Sequence, residues 1–124
     1  MRIVYCIPAT SNSGGMERVL TRKVNYLVGQ GHELIIVTTD QKGAKPFFSL
    51  EGSVKQYDLG INYDENNGQG ILAKLKAYPK KKRLHRQRLR ELLGKLQADI
   101  VISMFGDDAT LLPQMKDGSR KVLE

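Results

Sequence analysis

The sequence predicts an α/β fold: an open, mostly parallel, Rossmann-like sheet with helices on both faces, three layers deep. Three observations predict it. Unbroken apolar runs, Ile3–Ile7 and Leu34–Val37, read as strands buried on both faces. Between them lies a segment with apolar residues at three- and four-residue spacing, the mark of an amphipathic helix. A strand, helix and strand in about 38 residues make a right-handed crossover between parallel strands. Repetition of this unit gives the expected strand order 3-2-1-4-5.

The elements follow in order. The first strand covers residues 2–7, and Pro8 ends it. Met16, Val19, Leu20, Val24, Leu27 and Val28 form one face of the first helix. Gly29 or Gly31 closes that helix, because a glycine just past the last turn accepts a left-handed conformation. Residues 33–39 form the second strand. A loop from Asp40 to Gly52 precedes a short, alternating, half-exposed strand over 54–59. Gly60 to Gly70 is polar and reads as a loop. Ile71 to Tyr78 reads as a short helix, interrupted by Pro79, which then opens a longer helix over 80–97. Leu89, Leu92, Leu93 and Leu96 are the apolar face of that helix. Residues 99–104 are a further buried strand. Asp107 or Asp108 can cap a helix running through Leu112 to Met115. Lys121–Glu124 reads as the start of another strand, so the sequence is expected to be a piece of a longer protein.

With 124 residues, 40% of them hydrophobic, the chain suits one domain. No apolar run approaches the roughly 20 residues that span a bilayer, and the N-terminus does not read as a leader. The single cysteine, Cys6, excludes an internal disulfide and fits a reducing, cytoplasmic compartment. Cys6 lies within a strand and is expected to be a packing residue. No Cys/His cluster has metal-ligand spacing, so no metal is expected. His32 reads as a turn residue, and His85 has no metal-spaced partner. The net charge is +7, yet the stretch from Lys74 to Lys95 holds ten Lys or Arg and one acid, Glu91. The basic character is therefore local to one helical stretch. Lys80, Lys81, Lys82, Arg83, Arg86, Arg88 and Arg90 form its densest part, a candidate anionic-surface patch.

In an open sheet of this order, ligands bind outside the carboxyl ends of the strands, where the order reverses. Here that crevice lies between the first strand and the strand ending at Met104. Two loops meet there. One is Thr10–Glu17, with Gly14 and Gly15 expected to let the backbone turn sharply and approach a ligand. Free N–H groups and the helix dipole suit this loop to phosphate. The other is Phe105-Gly106-Asp107, with an aromatic face, a glycine and a carboxylate.

The run Gly14-Gly15-Met16-Glu17-Arg18-Val19-Leu20, followed by Gly31-His32-Glu33-Leu34-Ile35-Ile36-Val37-Thr38, closely resembles the N-terminal half of family-four glycosyltransferases of the GT-B fold. Ala98–Ser103 is similar to the family's fourth strand. The likeness is strong to Thr39 and weak from Gln41 to Gln97. It implies transfer of a sugar from a nucleotide-diphosphate donor to a glycan or lipid-linked acceptor, with retention and with no bound metal or cofactor. It assigns Gly14, Gly15 and Met16 to the donor phosphate or sugar. Asn12, Ser13, Glu17, Phe105, Gly106 and Asp107 fall to the acceptor cleft. It implies a further, nucleotide-holding domain with a paired-glutamate motif as partner, and a fragment that is inactive alone. Relatives acting on lipid-linked acceptors work at the inner membrane face, where a basic helix favours anionic headgroups. No nucleic-acid motif is present. Two other readings stand beside it. Asp40, after the second strand, could hold the ribose of a nicotinamide cofactor, although G-x-G-x-x-G is absent. The basic helix could also serve a non-enzymatic module that binds anionic surfaces.

Overall fold

The computed structural model describes residues 1–63, 70–104 and 108–124, apart from the Lys74 side chain. Five strands form one parallel sheet: β1 (Arg2–Cys6), β2 (Glu33–Thr38), β3 (Lys55–Asp58), β4 (Ile100–Ser103) and β5 (Arg120–Leu123). Their spatial order is β3-β2-β1-β4-β5, as expected. Among the described residues three helices accompany them: α1 (Gly15–Gly29), α2 (Ile71–Leu96) and the single turn α3 (Asp108–Leu111), which a 3-10 turn at Leu112–Gln114 extends.

The central strands divide their side chains between two cores. Ile3, Tyr5, Ile7, Leu34 and Ile36 meet Leu20 and Val24 of α1 on one face. Val4, Cys6, Ile35, Val37 and Val101 meet Leu89 and Leu93 of α2 on the other, with Leu111 and Leu112. Successive strand residues point to opposite faces, so the unbroken apolar runs require both. The three layers follow from that requirement.

α1 ends as its glycine predicts. The His32 N–H donates to Leu27 O at 3.1 Å and the Gly31 N–H to Val28 O at 3.0 Å, with Gly31 at φ +89°. This pair of hydrogen bonds closes the last turn and needs the left-handed residue. At the amino edge of the sheet, the Arg2 guanidinium pairs with Glu33 at 2.6 Å and donates to the Leu96 carbonyl. Its backbone N–H donates to Asp99 at 2.7 Å. The hydrogen bond from Arg2 holds the Glu33 carboxyl below its ordinary range, with further help from the nearby cations.

Three expectations are corrected. Pro79 does not divide two helices, because α2 runs unbroken from Ile71 to Leu96 with Pro79 inside it. Pro79 removes one backbone bond, the one Leu75 O would accept. Leu75 is exposed, so water can replace that bond, while Leu89 and Leu93 anchor the later turns. β3 is not half-exposed. All four of its residues are exposed, and the flanking Val54 and Leu59 supply the burial instead. The helix expected up to Met115 is one α turn followed by a 3-10 turn, with Pro113 in the latter.

Candidate functional site

The Met104 N–H donates to Cys6 O at 3.0 Å, so the chain leaves β1 and β4 side by side at the carboxyl edge. The residues after β1 are held there from the opposite side. Thr39 and Asp40 both donate backbone N–H groups to Pro8 O, at 3.1 and 2.8 Å. Gln41, nearly buried, accepts the Thr10 N–H at 2.8 Å and donates to Ala44 O at 2.8 Å. The Phe47 N–H completes the tie by donating to Thr10 O at 2.9 Å. The rim of the crevice therefore rests on an amide side chain. A glutamine in a loop gives no periodic signal, and sequence reasoning missed it.

Asn12, Ser13, Gly14 and Gly15 lie exposed on this rim, and Glu17 is half-buried. Gly14 is the N-cap of α1 and provides no side-chain hydrogen bond. The first bond of the helix runs from the Arg18 N–H to Gly14 O at 3.2 Å. The N–H groups of Gly15, Met16 and Glu17 thus head a helix without a side-chain cap, the arrangement that suits an anion. The expected glycine role is corrected in kind. Gly14 has φ −70° and ψ 170°, open to any residue, and Gly15 opens the helix proper. A Cβ on Gly15 would meet nothing within 4 Å, so the surface above it is open and the fold itself does not require glycine there. A Cβ on Gly14 would meet Glu17 Oε2 at 2.6 Å, so the Glu17 carboxylate folds back over the start of the helix. A bound anion would have to displace it. The Met16 side chain packs on the α1-side core and Arg18 lies over Phe48, 5.6 Å from the ring centre. Phe105, Gly106 and Asp107 lie outside the described residues.

Beneath this edge sits a polar chain that sequence reasoning missed. His85 of α2 is fully buried, and its Nε2 stands 2.7 Å from Asp108 Oδ1. Its Nδ1 stands 2.7 Å from the Tyr63 hydroxyl. Nε2 faces a carboxylate that accepts and Nδ1 faces a hydroxyl that can donate or accept, so both ring nitrogens have a partner. The signal was present: His85 lies four residues before Leu89 and continues the buried stripe. Cys6 faces the same region. Burial first, then the Asp108 charge, pushes its thiol well above the ordinary range, so it is a packing group rather than a nucleophile.

The basic patch is partly consumed inside the molecule. Lys81 donates to Asn62 O, Lys82 to Thr110 Oγ1, and Arg88 to Leu59 O and Gly60 O. These cations tie α2 to the loops at the carboxyl edge. Lys80, Arg83, Arg86 and Arg90 form no ion pair among the described residues. Among the described residues no group of His, Cys, Asp and Glu could hold a metal, and no helix is long and apolar enough to cross a membrane.

The strand order, the crossovers and the two-sided core define a Rossmann-like parallel α/β domain. No protein-family model matches the chain, and no curated protein matches it either. Among solved structures it is similar to a UDP-galactose 4-epimerase, with TM-score 0.42 and 16% identity over 84% of this chain. The chain spans 37% of that protein's length. At this identity the likeness concerns the fold alone.

Proposed function

We propose that this chain is the acceptor-side half of an enzyme that moves a sugar from a nucleoside-diphosphate sugar to an acceptor. The observation that supports it best is the Asn12–Glu17 rim: an uncapped helix start with empty space over Gly15, at the carboxyl edge where the strand order reverses. In this reading the N–H groups of Gly15, Met16 and Glu17 receive the diphosphate as negative charge develops on it. Glu17 swings away from Gly14 when the phosphate arrives. Asn12 and Ser13 offer amide and hydroxyl contacts to the acceptor, and Phe105, Gly106 and Asp107 are assigned to the opposite rim. The nucleotide base is left to a second domain, so the chain alone binds donor weakly and transfers no sugar.

A nicotinamide-binding domain is the second reading, and one observation favours it. The Asp40 N–H donates to Pro8 O, which sets this acid beside the residues after β1, the neighbourhood in which a ribose-binding acid stands. Saturation-transfer NMR separates the two. The transferase reading predicts weak, millimolar signals from UDP-glucose and UDP that NAD does not displace. Tighter NAD binding that displaces UDP would establish the second reading instead.

A further inference from the structure

The last turns of α2 and the turn before β5 enclose a hollow of about 560 Å³. The residues that line it lead into the starts of β4 and β5, so it lies toward the amino edge of the sheet, away from the crevice. Leu93 and Met115, both buried, give it an apolar floor. Arg90 from α2 and Lys116 from the turn line it as well, and neither forms an ion pair among the described residues. Two amides complete the wall. Gln97 donates its Nε2 to Gly94 O and Gln114 donates its Nε2 to Thr110 O, so each keeps an Oε1 without a partner among the described residues. Asp117, the acid on the wall, is balanced within the protein by Lys121 Nζ at 2.5 Å and the Ser119 hydroxyl at 2.7 Å.

The helix end beside this hollow is built in a way that packing does not explain. Gly94 stands inside the last turn, where glycine is a poor helix former, and a Cβ there would meet nothing within 4 Å. Gln97 takes the left-handed position after the helix, φ +51°, that favours glycine. A ligand accounts for both, since the glycine leaves the hollow open and the glutamine brings an amide to its wall. We propose that the hollow binds a nucleoside monophosphate whose base carries an exocyclic amino group. Its volume is that of a small-molecule site. Arg90 and Lys116 receive the phosphate through charge-assisted hydrogen bonds. The flat base lies on Leu93 and on Met115, whose thioether suits an aromatic ring. The amino group donates to the Oε1 atoms of Gln97 and Gln114. A sugar phosphate would set hydroxyls against the apolar floor, and inorganic phosphate would leave both amides unused. The proposal does not rest on the transferase reading.

Amide shift mapping by NMR with adenosine monophosphate tests it. Shifts are expected at Gly94, Gln97 and Lys116 rather than at Gly15–Glu17, saturating below about 1 mM ligand. Inosine monophosphate, with an oxygen in place of the amino group, should bind about fivefold more weakly. Arg90→Gln with Lys116→Gln should weaken binding about tenfold or more, because both contacts are charge-assisted. Gly94→Leu should abolish binding by filling the hollow while raising the melting temperature, because leucine is the better helix former. Arg90 and Lys116 are both exposed, so their double variant keeps the test decisive if the leucine disturbs the fold. Four results would overturn the proposal: no shifts at these amides, shifts centred on Gly15–Glu17, binding unchanged by the double variant, or equal binding of inosine monophosphate, a hexose phosphate or inorganic phosphate.

Discussion

His85 is a fully buried polar side chain held between Tyr63 and Asp108. The imidazole lies between a phenol and a carboxylate with a partner at each nitrogen, so its burial costs little while both partners remain. Removing one partner changes that balance. Asp108→Leu would leave the Nε2–H buried without an acceptor, a loss of about 1–3 kcal/mol. Urea unfolding should show that loss, and His85→Leu combined with Asp108→Leu should recover part of it. Equal stability of Asp108→Leu and the natural chain would mean that the contact at 2.7 Å contributes nothing. The same scale explains what the sequence concealed. The stripe Leu89, Leu93, Leu96 was legible, but a histidine four residues upstream joins it only if an acid arrives from another element, and no local pattern announces Asp108. Gln41 was hidden for the same reason. The glycine pair was legible in place but not in kind, since neither residue has a positive φ.

Among the elements, β1, β2 and β4 were legible because each is buried on both faces and carries an unbroken apolar run. β3 is an exposed edge strand, so its burial pattern was set by neighbours rather than by alternation. α2 was misread at Pro79 because local propensity was outweighed by packing further along the helix. That leaves an unused gain in stability. Pro79→Ala restores the bond to Leu75 O and removes a residue about 3 kcal/mol worse than alanine in a helix interior. The expected outcome is a higher melting temperature and slower amide exchange near residue 79. A lower melting temperature would show that the ring makes a contact worth more than the missing bond.

For the whole molecule, topology does what no residue does alone. The reversal of strand order between β1 and β4 brings the Asn12–Glu17 rim to one edge. Amide shift mapping by NMR during titration with UDP-glucose tests this crevice most directly. The account predicts that the amides of Gly15, Met16 and Glu17 move first and furthest, and that Glu17→Gln strengthens binding by removing a competing carboxylate. Shifts confined to residues away from the carboxyl edge, or none at millimolar UDP-glucose, would contradict it.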